Sequence, residues 1–281
     1  MPDAPDASDY ELVKSPDELS PPRRSVGVWI VVAILMGVAA VAAIILLIQR
    51  PSAPAPAGER VRVQEQVIRP LGADAAPIAL PPLNETDALV RELVNRISSH
   101  PRLAAWLATN DLIRGFTIAV ENVAEGKTPA RQLPMVRPSS SFRVLERGND
   151  LIIDPRSYER YDGLAAAAAS MDADGSARLY TTLKPRIEDA YRELRDSPFD
   201  RTFERAIVLL LATPALDGPT AVVPRGVGYG FADPKLEGLT GAQKQLLRMG
   251  PRNVRTFQAS LRAIALALGI PAERLPGITN R

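Results

Sequence analysis

Residues 26–48 read VGVWIVVAILMGVAAVAAIILLI and contain no ionisable side chain. A helix of this length, at about 1.5 Å per residue, spans the ~30 Å hydrocarbon layer of a bilayer. Pro22 and Pro51 bound the apolar run, and Arg24 and Arg50 flank it. The sequence therefore predicts one transmembrane helix at residues 26–48, which would attach the chain to a lipid bilayer.

Two alternatives to a simple anchor stay open. A cleaved signal peptide would have a shorter apolar run, although residues 55–57, Ala-Pro-Ala, resemble a cleavage site. Ala33 and Gly37, and likewise Ala39 and Ala43, are small residues four positions apart, a spacing that lets two helices pack closely. A homodimer through the membrane helix is one interpretation of this spacing, and ordinary alanine content is the other.

The segments around the apolar run differ in composition. Residues 1–25 are acidic and contain several prolines, which predicts a disordered tail, and residues 49–83 form a linker rich in proline and alanine. Helical patterns fill residues 84–270, and residues 271–281 form a C-terminal tail. Basic residues near the two ends of 26–48 nearly balance, so the predicted orientation depends on segment length. We expect a bacterial inner-membrane protein with a cytoplasmic N-terminus and a periplasmic C-terminal domain.

The fold class follows from the periodicity of residues 84–270. Apolar residues recur there at helical spacing, interrupted by residues 142–154, FRVLERGNDLIID. The two halves of that stretch are strand-like and flank Gly148-Asn149, a dipeptide suited to a tight turn. Residues 213–232, rich in glycine and proline, are loop or strand. The predicted fold is mostly α: a compact multi-helix domain with one small β-hairpin, preceded by a single transmembrane helix and a Pro/Ala-rich linker.

The composition excludes several kinds of chemistry. Cysteine is absent, which rules out disulfides, thiolate metal ligands and cysteine nucleophiles. His100 is the one histidine, so a site with several histidine ligands is excluded, and we expect no metal and no cofactor. The net charge of +2 is spread over many helices and does not form the basic stripe of a nucleic-acid-binding protein.

The main candidate binding site is an anion pocket near the last predicted helix. Gly250 lets the chain turn, and Pro251 begins a helix whose first N–H groups point outward. Arg248 and Arg252 flank that helix end, and Asn253 follows. The competing explanation is a corner between two docked helices, in which the arginines bind carbonyl or carboxylate groups of this chain.

A second, weaker candidate is a set of guanidinium, ammonium and phenol groups on two predicted helices. Such groups bind anionic or glycan ligands through charge and stacking, and they also serve polar interfaces between helices. The set comprises Arg156, Tyr158, Tyr161, Tyr180, Lys184, Tyr191 and Arg192.

No catalytic residue is predicted. His100 follows two serines, but the chain lacks the G-x-S-x-G turn of a serine nucleophile, and a helix corner explains the serines better. Residues 172–175, Asp-Ala-Asp-Gly, resemble the opening of a calcium loop without its closing glutamate. Asp172 is better placed as a helix cap.

Four stretches together resemble a bacterial family known as domain of unknown function 3014. They are LVRELVNRISSHPRLAAWLATNDLIRGF (89–116), IDPRSYERYDGLA (153–165), RLYTTLKPRIEDAYRELR (178–195) and GAQKQLLRMGPRNVRTFQASL (241–261). The resemblance implies a single-pass membrane protein with a proline-rich spacer, and it brings no activity, cofactor or catalytic residue.

These observations lead to one favoured function and two alternatives. We expect a membrane-tethered helical binding module that faces the cell envelope and whose partner is an envelope protein or wall component. The alternatives are a carboxylate-based hydrolase of envelope polymers, and an assembly or regulatory subunit that acts through its membrane helix.

Overall fold

The structure, a computed structural model, describes residues 70–133, 136–138, 140–226 and 228–277. Helices make up most of these residues, and short strands lie in two places. The helices are α1 (Asp87–Ile97), α2 (Pro101–Leu107), α3 (Leu112–Ala124), α4 (Arg156–Glu159), α5 (Asp162–Ala169), α6 (Ala173–Arg192), α7 (Phe199–Leu211), α8 (Pro234–Glu237), α9 (Gly241–Leu247) and α10 (Pro251–Ala267). Short 3-10 turns lie at Leu83–Glu85 and Ala272–Arg274.

Local sequence signals explain several helix starts. The Asp172 carboxylate accepts a hydrogen bond from the Gly175 N–H at the start of α6, as predicted for a cap. Thr240 and Gln243 form a capping box at the start of α9. Pro251 occupies the first turn of α10, where a missing N–H costs no hydrogen bond.

The β structure corrects the predicted fold class. The predicted hairpin is present as β1 (Val144–Arg147) and β2 (Asp150–Ile153), but β3 (Ala221–Arg225) and β4 (Gly228–Phe231) extend it. The four strands form one antiparallel sheet in the order β1-β2-β3-β4, with Leu151 opposite Val222. The prediction of one hairpin was wrong because β2 and β3 are far apart in sequence, and only tertiary packing brings them together.

The predicted transmembrane helix is the second part of the fold class that the structure corrects. Across the described residues, no helix has both the length and the apolar character that crossing a membrane requires. Helix α6 has 20 residues but carries charged side chains along its length. The structure therefore supports a mostly α domain with a four-stranded sheet. The segment on which the prediction rested, residues 26–48, lies outside the described residues, as do residues 1–25 and 49–69.

The core consists of three groups of buried apolar side chains. The first is built mainly by α3, α6, α7 and α10 and includes Leu112, Phe199 and Ile207. The second surrounds Tyr161 and Met249, where α5, α9 and α10 meet. The third lies under the sheet, where side chains of β2, β3 and β4 pack against α8 and α9.

The described end of the predicted linker lies on the helical domain. Leu71 is buried, and its N–H donates to the carboxylate of Asp200 at 3.0 Å. The N–H of Gly72 donates to the Leu268 carbonyl at 3.0 Å, and that of Ala73 to the Thr181 hydroxyl at 2.9 Å. Residues 71–73 are therefore held by α6, by α7 and by the residue that follows α10.

Candidate functional site

The domain contains a partly open apolar cavity of about 450 Å³ between helices α1–α3, α5–α7, α9 and α10. Its walls include Ile207 from the first core group and Met249 from the second, so both groups contribute to the wall. Ligand pockets in proteins typically measure roughly 300–1,000 Å³ and are lined mainly by apolar side chains. The cavity falls within that range.

Aromatic side chains from several helices form part of the wall. Phe116 on α3 and Phe203 on α7 are in edge contact, with ring centroids 5.7 Å apart. The ring centroid of Tyr180 on α6 lies 5.1 Å from the ring centroid of Phe203. Trp106 of α2 also lines the cavity. Phe116, Phe203 and Tyr180 thus form a series of ring contacts along the wall.

Helix α5 shows why the space stays open. It reads DGLAAAAA, and Leu164, Ala167 and Ala168 line the cavity. Ala166 and Ala169 are exposed on the other face. A methyl group is the smallest apolar side chain with a Cβ, so the inner face of α5 cannot fill the volume that larger residues would occupy.

The few polar groups of the wall are bonded to the protein itself. The Ser176 hydroxyl donates to the Asp172 carbonyl at 2.6 Å, and the Ser260 hydroxyl donates to the Thr256 carbonyl at 3.3 Å. Gln245 donates its amide N–H to the Tyr161 hydroxyl at 3.2 Å. Among the described residues, no Asp, Glu, Lys, Arg or His lines the cavity. The interior therefore suits a hydrocarbon and offers a charged group no compensation.

Tyr180 connects this wall to a buried charged cluster. Its hydroxyl donates to the Asp200 carboxylate at 2.5 Å, and the Lys184 ammonium donates to the same carboxylate at 2.6 Å. Burial, and then the hydrogen bond to Asp200, raises the pKa of Tyr180 above its ordinary value, so the phenol stays neutral. Asp200 also holds the N–H of Leu71. Tyr180 and Lys184, both predicted as ligand-binding residues, are thus engaged in an internal contact.

The residues of the predicted anion pocket do come together, but most of their polar atoms have partners within the domain. Arg248 donates to the Tyr229 carbonyl at 3.3 Å and lies over the ring of Phe231. Asn253 is buried and donates its amide hydrogens to three internal acceptors. Arg252 is exposed. None of these contacts tests anion binding, and the pocket stays a prediction.

Tyr158 covers the turn that begins α10. Gly250 has φ +81°, and a Cβ atom there would lie 2.3 Å from Cγ of Tyr158, so the ring rests directly on the glycine. Asn253 donates to the Tyr158 carbonyl at 3.0 Å. Burial raises the pKa of the Tyr158 phenol. The arrangement is a packed corner between α4, α9 and α10, which Tyr161 joins through its hydrogen bond from Gln245.

The remaining predicted residues lie apart from that corner. Arg156 binds the buried carboxylate of Asp154 at 2.8 Å, and its hydrogen bonds lower the pKa of that carboxyl. Tyr191 is fully buried and donates to Glu121 at 2.8 Å. Arg192 is exposed and pairs with an aspartate of its own helix. The structure therefore separates the weaker candidates into several places.

His100 acts as a helix cap. Its Nδ1 accepts a hydrogen bond from the N–H of Arg102 at 3.2 Å, which begins α2. Ser98 pairs with the hydroxyl of Ser170 at 2.7 Å. Within the ranges that the structure describes, no three Asp, Glu or His side chains are grouped as a metal ion would require.

Comparison with known proteins identifies the family. A family model described as "Protein of unknown function (DUF3014)" matches residues 112–265, more than half of the 281-residue chain. The chain belongs to this family. The matched range runs from α3 into α10 and so includes most of the cavity wall. No curated protein and no solved structure matches the chain.

Sequence reasoning did not find the cavity. The alanine run at residues 165–169 was a visible signal, since so many small side chains on one short helix leave room beside it. The other walls come from helices distributed over the chain, and their apolar faces look like ordinary core faces in the sequence.

Proposed function

We propose that the helical domain is a binding module for a long apolar chain, such as the alkyl or acyl chain of a lipid, held in the cavity between α5, α7 and α10. The observation behind the proposal is the apolar volume of about 450 Å³ with no charged side chain among its described lining residues. The sequence predicts a binding module without naming its ligand, and the proposal adds a ligand class, a long apolar chain.

The apolar surface of the cavity supports this proposal. The cavity is partly open, and burying apolar surface that faces such a pocket against a hydrocarbon is favourable by about 25 cal/mol per Å². A bound alkyl chain would supply that burial along the wall.

The cavity favours binding over the hydrolase alternative. Carboxylate-based hydrolysis needs an acidic side chain beside the bound ligand, and the described lining residues include none. The hydrolase alternative stays a prediction that no contact of the cavity favours. The predicted periplasmic location and the envelope protein or wall component expected as a partner also stay predictions.

A cavity-filling pair of variants tests the proposal. Ala168 and Ser260 are half-buried and line the cavity from opposite helices, α5 and α10. The double variant Ala168→Leu/Ser260→Leu should weaken the binding of alkyl chains by at least tenfold, because its added side chains occupy the ligand's volume. It should also keep or raise the melting temperature, since filling a void adds packing contacts. Matched controls are Ala166→Leu and Ala259→Leu, which add the same side chain at exposed positions of the same helices.

Binding can be followed through Trp106, which lines the cavity. The full chain has two tryptophans, so Trp29→Phe leaves Trp106 as the only one. Straight-chain alcohols of increasing length, used below their aggregation concentrations, should bind about fourfold more tightly per added methylene, from ~0.8 kcal/mol each, until the cavity is full. Absence of saturable binding, or equal binding by the filled variant and the exposed controls, would refute the proposal.

A further inference from the structure

Arg102 lies at the seam between two walls of the cavity. It belongs to α2, next to Leu103, and its guanidinium lies over Gly163 of α5, next to Leu164; both leucines line the cavity. A Cβ atom at position 163 would lie 3.0 Å from Nε and 3.5 Å from Nη2 of Arg102. A side chain at position 163 would therefore require the guanidinium to shift by a few tenths of an ångström.

The guanidinium of Arg102 has no acidic partner in the described part of the chain. Arg102 is half-buried, yet its side chain takes part in none of the ion pairs or side-chain hydrogen bonds between described residues. The acid that follows Tyr161 in sequence, Asp162, accepts a hydrogen bond from Asn253 at 2.9 Å instead. Guanidinium has five N–H donors in a fixed fork, a geometry that matches carboxylate and phosphate oxygens.

Other half-buried arginines of the domain show a different pattern. Arg114 binds Glu193 at 2.7 Å, and Arg186 binds Asp189 at 2.7 Å and a backbone carbonyl. Arg91 donates to the carbonyls of Leu107 and Thr109. These three arginines are half-buried, and each has acceptors within the domain. Arg102 is also half-buried but has no such acceptor among the described residues, and it lies next to a residue of the cavity wall.

We propose that Arg102 binds the anionic head group of a single-chain amphiphile whose hydrocarbon chain occupies the cavity. The shared chemistry is a carboxylate or a phosphate on a long chain. This inference rests on the proposed function and specifies its ligand: the cavity wall recognises only hydrocarbon, and the seam between α2 and α5 recognises the charge. Arg102 is then a determinant of ligand specificity, and the chain length is set by the cavity.

The test compares three twelve-carbon probes on the full chain by isothermal titration calorimetry: dodecanoate, dodecyl phosphate and dodecanol. The wild-type protein should bind at least one anion about tenfold or more tightly than the alcohol, the range expected for a charge-assisted hydrogen bond. Arg102→Gln should remove that preference and leave the affinity for dodecanol within about twofold. Arg102→Lys, which keeps the charge without the fork, should retain part of it. The anion that is preferred identifies the head group.

Arg147→Gln is the matched control, because Arg147 is an exposed arginine on β1, outside the cavity wall. It should keep the wild-type preference. If the wild-type protein binds all three probes equally, or if Arg102→Gln keeps the preference for the anion, the assignment of Arg102 is wrong although the cavity still binds chains. If none of the three probes binds, the proposed function itself fails. Thermal unfolding of each variant shows that it is folded, and Arg102→Lys supplies the comparison if Arg102→Gln is not.

Discussion

Replacing Gly250 by alanine should destabilise the domain much more than the same replacement at Gly269. Gly250 has φ 81° and ψ 160°, a region of backbone conformation that is essentially restricted to glycine and costs other residues about 1–3 kcal/mol. The new Cβ would also lie 2.3 Å from Cγ of Tyr158 and 2.7 Å from its Cβ. Forcing such a contact in a packed region costs about 1–3 kcal/mol more. The expected loss is therefore about 2–6 kcal/mol.

Gly269 provides the matched control. Its φ is +84°, but a Cβ atom there would meet no atom within 4 Å. Only backbone strain then applies, so Gly269→Ala should cost about 1–2 kcal/mol. Urea unfolding followed by circular dichroism measures both losses, and a difference of 2 kcal/mol shifts the midpoint by about 1 M at a typical slope.

A double-mutant cycle with Tyr158→Ala separates the two causes. Removing the ring removes the collision but leaves the strain at Gly250, so the two changes should be coupled by about 1–3 kcal/mol. The same ring lies beside the predicted anion pocket, so the cycle also tests the corner between α4 and α10. Equal losses for Gly250→Ala and Gly269→Ala, with no coupling to Tyr158, would show that the ring does not rest on Gly250.

Two further predictions concern single side chains. Asn253→Ala should lower the free energy of unfolding by about 1–3 kcal/mol, because it leaves buried acceptors without a donor. Arg252→Ala, at the exposed neighbour, should change that free energy by about 0.5 kcal/mol or less. Equal effects of the two variants in urea unfolding would contradict the contacts of Asn253. Arg156 lowers the pKa of Asp154 in the folded protein, whereas the unfolded chain has the ordinary aspartate pKa of about 3.9. The stability that this pair contributes is therefore fully present above the unfolded pKa. It is lost as the pH falls through the lower pKa of the folded protein. The deficit of Asp154→Asn relative to wild type should therefore be largest near pH 7 and shrink below about pH 4, and a deficit that does not change with pH would refute the ion pair.

The sequence by itself determined the features that depend on neighbours in the chain. The cap at Asp172 and the hairpin around Gly148 form where they were predicted. Each of these signals works through hydrogen bonds or backbone angles within a few residues, so it is visible without the fold. Family membership was also readable, because stretches of sequence carry it.

The tertiary structure decided the features that join distant segments. The pairing of β2 with β3, the place of Asp200 between Tyr180 and Lys184, and the contact of Arg102 with Gly163 each link residues from different elements. The cavity is the clearest case, since an apolar helix face has the same periodicity whether a neighbouring helix fills the space beside it or leaves it open. Packing volume is a property of several helices at once, and no local pattern records it.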